Sequence, residues 1–78
     1  MVKIITTHGF SLYSLRKLEK QTESGRMRVR LMVVRLAWEG YPATAVADII
    51  GVTAETARNY VQAWNRGGPD ALPRQKFG

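Results

Sequence analysis

Residues 53–62 read TAETARNYVQ. Glu55, Arg58, Asn59 and Gln62 recur there at the spacing of one helix face, and all four carry hydrogen-bonding side chains. Their chemistry is that of base-edge recognition. A guanidinium can donate two parallel bonds to guanine, a carboxamide can pair with adenine, and a carboxylate can accept from cytosine. Ala54 has the small apolar side chain that suits a thymine methyl. Ala54, Glu55, Arg58, Asn59 and Gln62 are therefore the candidate base contacts, with Thr53 and Thr56 as phosphate contacts beside them. Plainer uses exist for some. Glu55 suits the positive end of a helix, and Thr53 is a good N-cap because its hydroxyl can satisfy a free amide of the first turn.

Such a stripe must be held by a helix that packs on its other side. Ala57, Tyr60, Val61 and Trp64 supply that side at i, i+3, i+4 and i+7, so a helix over 53–66 is expected. Upstream, 43–50 forms a short segment with an apolar face of Val46, Ala47 and Ile50. Gly51 follows, able to take the positive φ that ends a helix, and then Val52. Small Ala47 suits a close approach of two helices. Two helices joined in this way make a helix-turn-helix, whose second helix enters the DNA major groove.

Two further helices are expected ahead of this unit. In 11–22, Ser11 can cap, Phe10 and Leu15 sit where a hydrophobic staple forms, and Leu12, Leu15 and Leu18 make a core stripe. Arg16, Lys17, Glu19 and Lys20 are assigned to solvent. In 25–39, Val29, Met32, Val33, Leu36 and Ala37 form a stripe that Leu31, Val34 and Trp38 widen, which suits a central helix. Arg26, Arg28 and Arg30 are candidate phosphate contacts; the alternative is a solvated basic face. Gly40 ends that helix and Tyr41-Pro42 turn the corner. Trp38, Tyr60 and Trp64 fall on apolar stripes and are expected in the core.

The ends carry less pattern. Residues 1–10 are expected to be a frayed arm, with His8 solvated or locally bonded rather than a metal ligand. Residues 68–78 read as a basic flexible tail in which Arg74 and Lys76 could follow a groove. The domain proper is then 11–67.

Composition narrows the function. Seventy-eight residues allow one small core, and without cysteine no disulfide or thiolate zinc site can staple it. Twelve Lys and Arg against six Asp and Glu give +6, which suits a polyanion such as double-stranded DNA. No apolar run reaches the ~20 residues of a membrane span, and the first residues lack a secretory pattern, so no membrane association and a cytoplasmic location are expected. The six acids, Glu19, Glu23, Glu39, Asp48, Glu55 and Asp70, are scattered. No catalytic residue, metal site or cofactor is assigned.

The order of features over 28–78 resembles the N-terminal DNA-binding domain of mariner-like bacterial insertion-sequence transposases. The resemblance rests on RVRLMVVRLAWEGYPATAVADIIGV, then TAETARNYVQAWNRGG, then ALPR. It implies an all-α, homeodomain-like bundle of about four helices that recognises transposon ends for a catalytic domain downstream. That acidic-triad domain is missing from this sequence, and Ala57 stands where the family usually has Val or Ile. A stand-alone transcriptional regulator is the alternative within DNA binding, and a helical protein-interaction module the alternative outside it. The polar stripe at 55–62 argues against the latter, because interaction hot spots favour exposed aromatics. The DNA site and the oligomeric state are not encoded in any pattern above.

Overall fold

A computed structural model describes residues 4–74, with side chains through Leu72. Four helices follow one another: α1 (Leu12–Gln21), α2 (Gly25–Trp38), α3 (Ala43–Ile50) and α4 (Ala54–Gly67). A 3-10 helix, Gly68–Arg74, closes the described chain. No strand occurs among the described residues, so the expected all-α bundle is what forms.

Each helix starts and stops for a local reason. Ser11 and Ser14 form a reciprocal cap at α1, Ser11 Oγ accepting from Ser14 N–H at 3.1 Å while Ser14 Oγ accepts from Ser11 N–H at 2.8 Å. Ser24 Oγ accepts from Met27 N–H to open α2. Pro42 precedes α3 without a side-chain cap, and Gly51 ends that helix at φ +91°. There the Ala47 carbonyl accepts from both Gly51 N–H (2.8 Å) and Val52 N–H (3.1 Å). Only glycine adopts that φ cheaply, so the turn between α3 and α4 depends on it. Thr53 then caps α4, its Oγ1 accepting from Thr56 N–H at 3.1 Å.

α2 packs against α1, α3, α4 and the 3-10 helix, which makes it central as expected. The face it buries shares Val33 and Leu36 with the anticipated stripe and is shifted toward the flanking Leu31 and Val34. Leu31, Val33, Val34 and Leu36 are buried, whereas Val29 and Met32 are only half-buried. With neighbours on several sides, α2 is buried by position rather than along one stripe. Across the α1 contact, Arg35 Nε donates to Glu19 at 2.9 Å and Arg16 reaches Glu39 at 3.2 Å, while Arg35 Nη1 bonds Glu39 at 3.3 Å along the end of α2. The hydrogen bond from Glu19 raises the Arg35 pKa further above its ordinary value, against a smaller opposing effect of burial. Glu19, expected to face solvent, is turned inward by this pair.

Trp64 is fully buried, as expected, and gathers both ends of the chain. Its Nε1 donates to the Thr6 carbonyl at 2.8 Å, and its own carbonyl lies 2.6 Å from His8 Nε2. The rings of His8, Phe10 and Trp38 stand 5.4, 5.6 and 6.3 Å from it. Ile5 N–H also donates to Asn65 Oδ1 at 2.9 Å. From Ile4 to Phe10 the arm is therefore docked on the end of α4 rather than frayed, and His8 is bonded across the fold rather than locally. The exit is equally ordered. Gly68 to Arg74 is helical, not an extended connector, and Leu72 is 0% exposed within the core. Lys76 and the residues after it lie outside the described chain.

Leu72 thus packs as a core residue, and its truncation should behave accordingly. Leu72→Ala is expected to lower the unfolding free energy by about 2–5 kcal/mol, as for other buried leucines. Urea denaturation measures this; an unchanged midpoint would return 68–74 to the status of a linker.

Candidate nucleic-acid interface

The α3–Gly51–α4 unit sets the geometry of the polar stripe. Val46, Ala47, Ala57, Tyr60, Val61 and Trp64 are all buried, so the apolar faces of both helices are fixed against the core. That leaves Glu55, Arg58 and Gln62 exposed on α4, with Ala54, Thr56 and Asn59 half-exposed beside them. The five candidate base contacts share one accessible side of one helix. Among the described residues, the side chains of Glu55, Arg58, Asn59 and Gln62 have no hydrogen-bond or ion-pair partner, so their donors and acceptors remain available. Thr53 and Thr56 are partly committed. The Thr53 hydroxyl caps the helix and donates to Thr56 Oγ1 at 2.8 Å, which leaves the Thr56 hydroxyl proton free for an outside acceptor.

The arginines of α2 divide. Arg26 is exposed and has no partner among the described residues. Arg28 is exposed too, yet its Nη2 donates to the Thr22 carbonyl at 2.7 Å and so ties off the end of α1. Arg30 turns into the fold. Its Nη1 donates to the Leu72 carbonyl at 3.0 Å, its guanidinium carbon lies 5.5 Å from the centre of the Tyr60 ring, and its buried Nε has no partner. A guanidinium held this way braces α4 and the 3-10 helix, so Arg30 leaves the set of phosphate contacts. The sequence carried half of this signal, that Arg28 and Arg30 point different ways, but not which of them turns inward. At 100° per residue, Arg30 lies roughly 200° around α2 from Arg28, and the two cannot face the same ligand. The backbone of Arg74 ends the 3-10 helix, and Lys76 lies outside the described residues.

Ile49, at 56% exposure beside the α3–α4 turn, is a surface apolar residue that the sequence pattern did not single out. Among the described residues no group of three His, Cys, Asp or Glu side chains could hold a metal ion, and no helix is long and apolar enough to cross a membrane.

Comparison with known proteins places this arrangement. Residues 24–73, which run from the cap of α2 into the 3-10 helix, match the homeodomain-like domain family. The chain belongs to that family. The matched region spans α2, α3 and α4, and membership of this helix-turn-helix family supports DNA binding through that unit; α1 and the docked arm lie outside the matched region. The uncharacterized protein y4pG/y4sC of Sinorhizobium fredii (strain NBRC 101917 / NGR234) is 30% identical over 73 residues, covering 94% of this chain. The homeodomain-like chain spans 38% of that relative's length. No solved structure matches it.

The reassignment of Arg30 is open to a direct check. Arg30→Met keeps most of the side-chain volume but loses the bond to Leu72 and the contact with Tyr60. It is expected to lower stability by about 1–3 kcal/mol, the scale of a charged hydrogen bond. The salt dependence of DNA binding should hold its slope. A slope reduced by roughly 0.9 would instead mean that a phosphate contact had been removed.

Proposed function

We propose that this domain reads a specific double-stranded DNA site by laying the N-terminal half of α4 in the major groove. The observation that carries the reading is the stripe of exposed Glu55, Arg58 and Gln62 with half-exposed Asn59, without partners among the described residues, on a helix whose opposite face is locked in the core. Arg58 is the guanine contact, Asn59 the adenine contact, and Glu55 and Gln62 flank them, with Ala54 against a thymine methyl. Thr53 and Thr56 meet phosphate at the start of the helix, as helix-turn-helix domains do.

Arg26 supplies a phosphate contact from a second element. It lies one turn before Arg30 on α2, toward the side that faces α4 and the 3-10 helix, and it sits in a first turn that holds no acid. A cation at that end of a helix opposes the macrodipole, so it is better placed to meet an anion than to stabilise its own helix. Arg28, on the side turned to α1, is a weaker candidate, and Arg74 and Lys76 are proposed as further phosphate contacts on their sequence alone.

The finer reading is recognition of transposon ends on behalf of a catalytic domain. It is supported by the occurrence of this homeodomain-like family in transposases, and it is compatible with a relative more than twice as long as this chain. On this reading the domain is the DNA-recognition part and not the enzyme, and its preferred sequence lies at the ends of a mobile segment.

Two substitutions separate reading from holding. Arg58→Ala should cost about 1–3 kcal/mol on the preferred duplex and relax preference at one position. Arg26→Ala should weaken all sequences alike and reduce the log–log salt slope by roughly 0.9. Titrations of selected and scrambled duplexes across salt concentrations decide the matter. Equal losses on both duplexes for Arg58→Ala would move Arg58 to the backbone, and no binding by the unaltered domain at low salt would remove the proposal.

A further inference from the structure

Outside α4, a second helix face is left without a partner. On α1, Tyr13, Arg16, Lys17 and Lys20 recur at i, i+3, i+4 and i+7, and all four are exposed. Tyr13 is 78% exposed, an unusual position for an aromatic ring on a small domain. Arg16 touches Glu39, yet its side chain keeps 59% exposure. Lys17 and Lys20 have no partner among the described residues. The one acid of α1, Glu19, is turned inward onto Arg35, so the outer stripe is purely basic.

This stripe does not belong to the α4 interface. Among the helices, α1 packs against α2 alone. α2 in turn sends Arg28 and Arg35 toward α1 and Arg30 toward α4, directions roughly 200° apart around its axis. α2 therefore stands between the two surfaces. In a body about 25 × 23 × 22 Å, a duplex seated on α4 leaves the α1 stripe facing another way.

We propose that the α1 stripe is a second, sequence-independent contact for the phosphate backbone of a separate DNA segment, so that one chain can hold two duplexes. The stripe is roughly 10 Å long at 1.5 Å per residue, enough to meet a few successive phosphates. Three cations neutralise phosphate charge, and the Tyr13 hydroxyl can donate to a phosphate oxygen. Its cations are two lysines and an arginine engaged by Glu39, with Gln21 alone at the edge, so the stripe suits holding phosphates rather than reading a run of base edges. Tyr13 is the single aromatic anchor that a protein partner could use, and the rest of the stripe is two lysines and an arginine already paired with Glu39, which favours a polyanion over an acidic protein. The proposal takes its setting from the reading of α4 and adds a second duplex to it.

The test tethers a duplex selected by the domain, loads the domain, and then offers a labelled duplex of unrelated sequence. The variant is Lys17→Ala with Lys20→Ala, which keeps helix propensity because alanine is the best helix former. The unaltered domain should capture the second duplex. The variant should load onto the tethered duplex as before and capture roughly tenfold less or lower, with a salt slope for capture shallower by roughly 1.8, two phosphate contacts' worth. Capture that persists in the variant would overturn the proposal and point to bridging by paired copies. Loading and capture lost in step would overturn it by placing the stripe on the same duplex as α4. Capture of polyglutamate but not of the second duplex would overturn it in favour of an acidic protein. If the domain never loads, it is the α4 reading that fails. Direct titration with the unrelated duplex then judges the stripe alone, weaker binding by the variant supporting it and equal binding overturning it.

Discussion

The indole of Trp64 is the point on which the described fold converges. It is wholly buried, it bonds the Thr6 carbonyl through Nε1, and its own carbonyl receives both Gly68 N–H and His8. A buried indole N–H needs an acceptor, and this one finds it in the arm, which is why the arm docks. The Gly68 backbone, at φ +69° and ψ −154°, passes close to the His8 ring; a Cβ there would come within 3.2 Å of it. Entry and exit of the chain are thus tied to the last turn of α4 in one arrangement.

That anchorage governs what α4 can do. A helix held at its C-terminal end by Trp64, along its middle by Tyr60 and Val61, and at its start by the Gly51 turn has no freedom to roll. Its polar stripe is presented at a fixed angle, which direct readout of base edges requires, since bidentate bonds tolerate little misplacement. The charges are sorted by the same packing. Arg30 and Arg35 work within the fold, Arg28 ties off α1, and Arg26, Arg58, Lys17 and Lys20 are left facing outward. A net charge of +6 is therefore a poor guide to an interface until it is known which cations the fold has already engaged.

The legibility of these features in the sequence follows their range. α4 could be read because its apolar and polar residues separate cleanly at a period of 3.6, and the turn before it because Gly51 and Thr53 act locally. α2 was legible as a central helix but not in its orientation, since apolar residues run nearly around it and only contact with four neighbours selects the buried side. The arm was not legible. Two of its bonds are made by the backbone of Thr6 and Ile5 to partners some 60 residues away, where residue choice leaves no mark, and the third pairs the His8 ring with a backbone carbonyl that no spacing pattern foretells. Leu72, bracketed by prolines, has the local grammar of a linker, and only the surface offered by α2 and α4 makes it core. In the candidate site the stripe itself was visible, whereas the interior role of Arg30 depended on where Leu72 and Tyr60 came to lie.

The central claim is that α4 reads sequence rather than merely meeting charge. Its most direct test is selection of bound duplexes from a fully randomised pool at near-physiological salt, where sequence-independent binding is weak. The account predicts convergence within a few rounds on a short motif that includes a guanine beside an adenine, matching Arg58 and Asn59. A pool that is retained by the protein yet stays random would contradict it, because binding would then rest on phosphates alone.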